Sequence, residues 1–257
     1  VALAATFMLV SGPAFSGAIT LNPNDFGHLS QNATALAGVC AAGGLSYACG
    51  PVAAVNSLVF LQNKYPDIYD NSLITNNLVM TATILSGNDF MKCVVCAGGT
   101  NITNFISGKK KYIEQKVRDK TTYSDKQNPR FPYLFSQLSG PEPEDVELLI
   151  GFYNAAGMRT GGHYVTLYGI SGGADSKDLS FVDPNGGMGT STAVNMADLS
   201  WANNGGAIQI RNYGPAGTTA KIDWAVAESP IPEPAAWTLL AIGFALLAGL
   251  RRHNARG

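Results

Sequence analysis

The 257-residue chain predicts an α+β fold, with a helical N-terminal half packed on a mostly antiparallel β-sheet from the C-terminal half. Three observations predict it. Apolar residues recur at helical spacing before residue 120, and short runs rich in Val, Ile, Phe and Tyr between Gly, Asn and Asp take over after residue 145. The chain is also 46% hydrophobic, enough at this length for one core.

Taken in order, the first helix is predicted over 49–60, where Val52, Val55, Leu58 and Val59 share a helical period. Pro51 stands in its first turn, where the missing N–H costs nothing. This helix carries Cys49 at its start. A second helix is expected over 73–85 and a third over 101–117, with Ile102, Phe105, Ile106, Tyr112 and Ile113 apolar and Lys109 to Lys111 on a solvated face. The stretch QNPRFPYLF at 127–135 reads as a loop with aromatic anchors. Strands are expected in DVELLIGFYN, GGHYVTLYGISG, DLSFVDPNGG and GAIQIRNYG, and Trp201 and Trp224 are assigned to the core.

Charge narrows the function classes. Seventeen Lys and Arg stand against 18 Asp and Glu, and charged residues make up only 14% of the chain, so no basic field attracts nucleic acid and no such partner is expected. Both ends read as addresses. Residues 1–18 look like a clipped secretory signal: an apolar run, a Gly12-Pro13 break and small residues from Ser16 to Ala18; a buried first helix is the alternative. The mature domain then covers 19–228. Residues 229–257 contain Pro232-Glu233-Pro234, an apolar stretch at 235–250 and the basic residues Arg251, Arg252 and Arg256. That stretch falls short of the roughly 20 residues that span a bilayer comfortably, and the arginines would hold its end on the cytoplasmic side.

The tail resembles the PEP-CTERM sorting signals of Gram-negative bacteria in the order of its three parts. The resemblance implies transient membrane insertion through 235–250, an exosortase as partner, and export to the periplasm, cell surface or beyond; a plain tail anchor is the alternative.

The reactive residues lie between these ends. A thiol of ordinary pKa near 8.5 becomes a nucleophile at pH 7 when a helix N-terminus and an imidazolium stabilise its thiolate. Cys49 has the helix. His163 is the mature domain's one histidine besides His28, and it stands in an apolar run that would hold its ring rigidly as general base and acid. Asp183, ahead of a Pro-Asn-Gly-Gly turn, is the expected orienter of His163, with Asn185 as the other choice. Four cysteines in an exported chain invite pairing, so Cys40 is expected to bridge to Cys93 or Cys96, with Cys40–Cys49 as the pairing that would disarm the nucleophile. Cys93-Val-Val-Cys96 lacks the βαβ setting of a redox site, and His28 and His163 are too scattered for a zinc set, so no cofactor or metal is expected.

Three pieces in order, CGP at 49–51, GGHYVTLYGI at 161–170 and FVDPNGG at 181–187, resemble papain-like cysteine peptidases of the bacteriocin-leader (double-glycine) type. The segment GTNITNFISGKKKYI is similar to a stretch that lies between these pieces in that family. The resemblance implies a papain-like fold and a catalytic set of Cys49, His163 and Asp183 acting on a peptide or protein substrate. One position departs: where such peptidases carry a glutamine six residues before the nucleophile this chain has Gly43, and the nearest upstream glutamine is Gln31. The expectation is an exported cysteine peptidase; the rival is a secreted surface or matrix protein that uses the same scaffold to bind peptide.

Overall fold

The computed structural model describes residues 17–42, 45–93, 99–172, 177–185, 194–200, 208–210 and 213–231. Most of the leader reading, Gly43, Cys96, Trp201 and nearly all of the sorting-tail reading lie outside the described residues. Among the described residues no helix is long and apolar enough to cross a membrane.

Among the described residues, five α-helices and ten strands form an α+β arrangement. The helices are α1 (Cys49–Lys64), α2 (Pro66–Tyr69), α3 (Leu78–Ser86), α4 (Ile102–Lys116) and α5 (Phe131–Ser139). The strands are β1 (Ile19–Thr20), β2 (Ala41–Ala42), β3 (Leu45–Ser46), β4 (Thr121–Gln127), β5 (Asp145–Tyr153), β6 (Arg159–Gly172), β7 (Lys177–Val182), β8 (Val194–Ser200), β9 (Gln209–Ile210) and β10 (Thr219–Pro230). Apart from the small β2–β3 hairpin, the strands pair antiparallel in one sheet in the order β1-β6-β5-β10-β9-β8-β7. Because β7 also pairs with β6, matching Thr166 to Val182 and Ile170 to Leu179, the sheet closes on itself. Closure leaves β1 and β4, each paired with one strand only, as the edges of this sheet among the described residues.

Two cores follow from this geometry. Leu148, Ile150, Val165, Leu167, Phe181 and Ile222 gather in one, together with Phe131 and Leu134 of α5. The other lies between the sheet and α1, α3 and α4, where Leu149, Tyr164, Tyr168, Val182 and Val226 meet the helices. Helix α1 is buried on all sides from Cys49 to Leu58, which is why its sequence lacks a polar stripe. Thr166 on β6 donates from Oγ1 to the Ala53 carbonyl (2.9 Å), locking helix to sheet. Asn56 reaches the other way, accepting from the Leu29 N–H (2.9 Å) and donating to the Leu29 carbonyl (3.1 Å).

The structure departs from the sequence expectations in several places. QNPRFPYLF is not a loop from end to end: α5 starts at Phe131, because Pro132 sits in the first turn and Phe131, Leu134 and Leu138 share one buried face. Helix α3 starts at Leu78, since the Asn77 side chain caps it by accepting from the Met80 N–H. Strands β4 and β10 were not expected. Residues of β4 are mostly polar and half exposed, whereas β10 is flanked by strands on both sides and carries Glu228 and Asp223 among its apolar residues. Trp224 is only half-buried.

The largest correction concerns Lys109. Lys110 and Lys111 are exposed as expected, but Lys109 is fully buried, and its Nζ donates to Asp145 Oδ2 (2.8 Å), Glu228 Oε2 (2.5 Å) and Glu147 Oε1. Ser57 of α1 donates to the same Glu147 oxygen. Burial alone would strip the proton from Lys109; the three carboxylates reverse this and hold its pKa well above the ordinary value. Their own burial raises Glu147 to about 7 and Glu228 well above the carboxylate range. The three carboxylates form the kind of set that holds a metal ion, and the ammonium occupies its centre.

Lys109→Met leaves three buried carboxylates without their cation. Urea denaturation at pH 7 is expected to show a loss of about 3–5 kcal/mol, against a change within about 0.5 kcal/mol for the exposed Lys110→Met.

Candidate active site

Cys49 opens α1, and Ala48 at the N-cap offers no side-chain acceptor to the first-turn N–H groups. The positive end of the helix therefore sits beside the thiol. Cys49 is a free thiol, buried to 9% exposure, and it lines a cleft of about 900 Å3. Opposite it, β6 brings His163 to the same point. His163 Nε2 lies 2.6 Å from Asp183 Oδ1, which leaves Nδ1 for the thiol.

Asp183 follows β7 directly, and its carboxylate also accepts from the Asn185 main-chain N–H at Oδ1 (2.8 Å) and from the Tyr213 hydroxyl at Oδ2 (2.9 Å). The Asn185 side chain points elsewhere, accepting from Asn32 Nδ2 (3.1 Å) and Gln31 Nε2 (3.5 Å), so Asp183 is the group that holds the imidazole. Gln31 also donates its main-chain N–H to the Pro184 carbonyl (2.8 Å), which binds the N-terminal segment to the Asp183 turn.

The electrostatics follow from this contact order. Burial pushes the Cys49 thiol up, but its hydrogen bond to His163, the imidazolium charge, and the N–H groups of Tyr164 and Gly50 bring it below its ordinary value. For His163, burial acts to lower the pKa, and the hydrogen bonds and charges of Asp183 and Cys49 lift it to about 10. Asp183 is raised by burial and lowered more strongly by His163, ending below the usual carboxylate range. The three together favour thiolate beside imidazolium across neutral pH.

Cys40 pairs with Cys93, leaving Cys49 reduced. The bridge is tied to Tyr47, two residues before Cys49: the Tyr47 N–H donates to the Cys40 carbonyl (3.0 Å), and the Tyr47 carbonyl faces Cys93 Sγ at 3.6 Å. It ties the chain entering α1 to the segment that ends ahead of Gly99 and Thr100 in the cleft wall.

Sequence reasoning missed several site residues. Tyr213 carries no signal, since it stands 30 residues past Asp183 between glycine-rich stretches. At the cleft mouth Arg159 Nε donates to Asp223 Oδ2 (2.9 Å) and the Tyr153 hydroxyl donates to Asp223 Oδ1 (2.7 Å). Gly151 and Gly162 face each other in register across β5 and β6, and a Cβ on the first would strike Asp223, on the second Arg159. The glycine pair makes the slot in which this ion pair lies. Double glycines in a strand are the one trace of it in the sequence.

The chain matches no protein-family model, and the comparison with curated proteins finds no relative.

Alkylation of Cys49 by iodoacetamide reads the thiolate directly. The rate is expected to rise with pH below the ordinary thiol range and to stay level until His163 deprotonates near pH 10. In His163→Ala the two largest influences opposing burial are lost and only the Tyr164 and Gly50 N–H groups remain to oppose it, so the rise moves to higher pH. Asp183→Asn removes the main support of the imidazolium and moves the upper limit below 10.

Proposed function

We propose that the chain is an exported cysteine peptidase of papain-like arrangement. The observation that carries this reading is the single imidazole held at 2.6 Å by a buried carboxylate and hydrogen-bonded to a free thiol at a helix N-terminus, facing a cleft. Tyr47, Tyr153, Tyr164 and Trp224 with the amides of Gln127 and Asn128 line that cleft, a surface suited to an extended peptide.

The chemistry runs in two halves. Cys49 thiolate attacks the peptide carbonyl carbon, and the electron pair of the C=O bond moves to oxygen. Collapse of this intermediate breaks the C–N bond as His163 gives its proton to the leaving amine, leaving a thioester on Cys49. Water then attacks the thioester while His163 takes one of its protons; the C–S bond breaks, the acid leaves, and the thiolate–imidazolium pair returns. Asp183 keeps its charge throughout and holds the ring.

Export is supported by the Cys40–Cys93 bridge, which suits an oxidising compartment. The order of PEP, apolar stretch and arginines at 229–257 supports sorting by an exosortase.

An epoxide inhibitor of cysteine peptidases is expected to label one thiol per chain, at Cys49, with the label lost in His163→Ala; a peptide library incubated with the wild type is then cleaved, and with Cys49→Ala it is not. A Cys49 that stays unlabelled in the folded protein would support the binding scaffold instead.

A further inference from the structure

Attack by Cys49 on a carbonyl puts a negative charge on its oxygen inside a cleft from which water is partly excluded, and only donors already aimed at that point stabilise it strongly. The wall of this cleft holds two hydroxyls in reserve. Among the described residues, Thr100 Oγ1 and Tyr164 Oη are buried without a hydrogen-bond partner, and both residues line the cleft together with Cys49. Thr100 is 7% exposed and Tyr164 2%. Leaving a buried hydroxyl unpaired destabilises a protein. Two of them beside one thiol mark a place where a ligand supplies the missing acceptor.

Their positions are set by α1 itself. A Cβ built on Gly50 would stand 3.3 Å from Thr100 Oγ1 and 3.5 Å from the Phe105 ring, so the hydroxyl lies against the first turn of α1, one residue past the nucleophile. The Tyr164 ring stacks on Phe105 at 4.4 Å and 11°. Asn101 fixes the chain after Thr100 by capping α4, its side chain accepting from the Asn104 N–H (2.9 Å). Gln31, the nearest glutamine upstream of Cys49, directs its amide nitrogen to the Asn185 side chain.

Resting on the peptidase reading above, we propose that the Thr100 hydroxyl is the side-chain donor to the oxyanion formed at Cys49, acting with the Cys49 main-chain N–H, and that the Tyr164 hydroxyl assists it. A threonine does here what an amide side chain would otherwise do.

The test compares two reactions of one thiol. p-Nitrophenyl acetate acylates Cys49 through a tetrahedral oxyanion, whereas iodoacetamide reacts at a saturated carbon and forms none. Thr100→Val is expected to slow the release of p-nitrophenolate by about 100-fold while alkylation stays within twofold of the wild type. Thr100→Ser, which keeps the hydroxyl, acylates within a few-fold of the wild type, and Tyr164→Phe loses about 10-fold, a smaller share of the same effect. Acylation of Thr100→Val at the wild-type rate overturns the proposal. So does a parallel loss of acylation and alkylation, which would make Thr100 a support for the thiol. If wild-type Cys49 is alkylated slowly and never acylated, the peptidase reading itself fails and this proposal with it.

Discussion

Everything at the site depends on the burial of α1 from Cys49 to Leu58. A helix with solvent on one face can slide or tilt against its neighbours; one enclosed from Cys49 to Leu58 by sheet, helices and the N-terminal segment cannot move without opening voids in a close-packed core. Each Val or Leu removed from water there contributes on the order of 1.5–3 kcal/mol. Polar contacts then fix its rotation and height: Thr166 on Ala53 from the sheet side, Asn56 on Leu29 from the other. Cys49 inherits this rigidity, and its thiol faces the cleft because the helix cannot place it elsewhere.

Buried charge is handled in two ways in the same layer. Around Cys49, a thiol, an imidazole and a carboxylate share protons in a chain, with Tyr213 and the Asn185 N–H satisfying the carboxylate from behind. Each group shifts in the direction that keeps an ion pair, so the interior holds charge that chemistry can use. Around Lys109, one ammonium faces three carboxylates, an excess of negative charge that lifts the proton affinity of Glu147 and Glu228. This second cluster joins α4 and, through Ser57, α1 to β5 and β10. It binds the helical layer to the sheet, while the first cluster faces the cleft.

Much of the α+β order was legible in the residues. Val52, Val55 and Leu58 marked α1, and the runs around Ile150, Val165 and Phe181 marked strands, because burial on a fixed period leaves a pattern any single segment displays. Elements missed were those whose pattern depends on a neighbour. Strand β4 is polar because only its pairing with β10 makes it a strand, and α5 hid behind two prolines that a helix start tolerates. Lys109 sits in a run of three lysines, and local sequence cannot tell which one will face three acids from 36 to 119 residues away.

The sequence by itself determined the types of reactive group, the helix that carries the thiol, the strand that carries the imidazole, and the limited charge that argues against nucleic acid. Only the tertiary structure decided which cysteine bridges Cys40, that Asp183 and not the Asn185 side chain reaches His163, that Tyr213 supports Asp183, and that Thr100 and Tyr164 line the cleft with Cys49. The reason is physical. Periodicity and reactivity belong to a segment and can be read from it, whereas distances between segments are set by sheet closure and core packing, which sum over the whole chain.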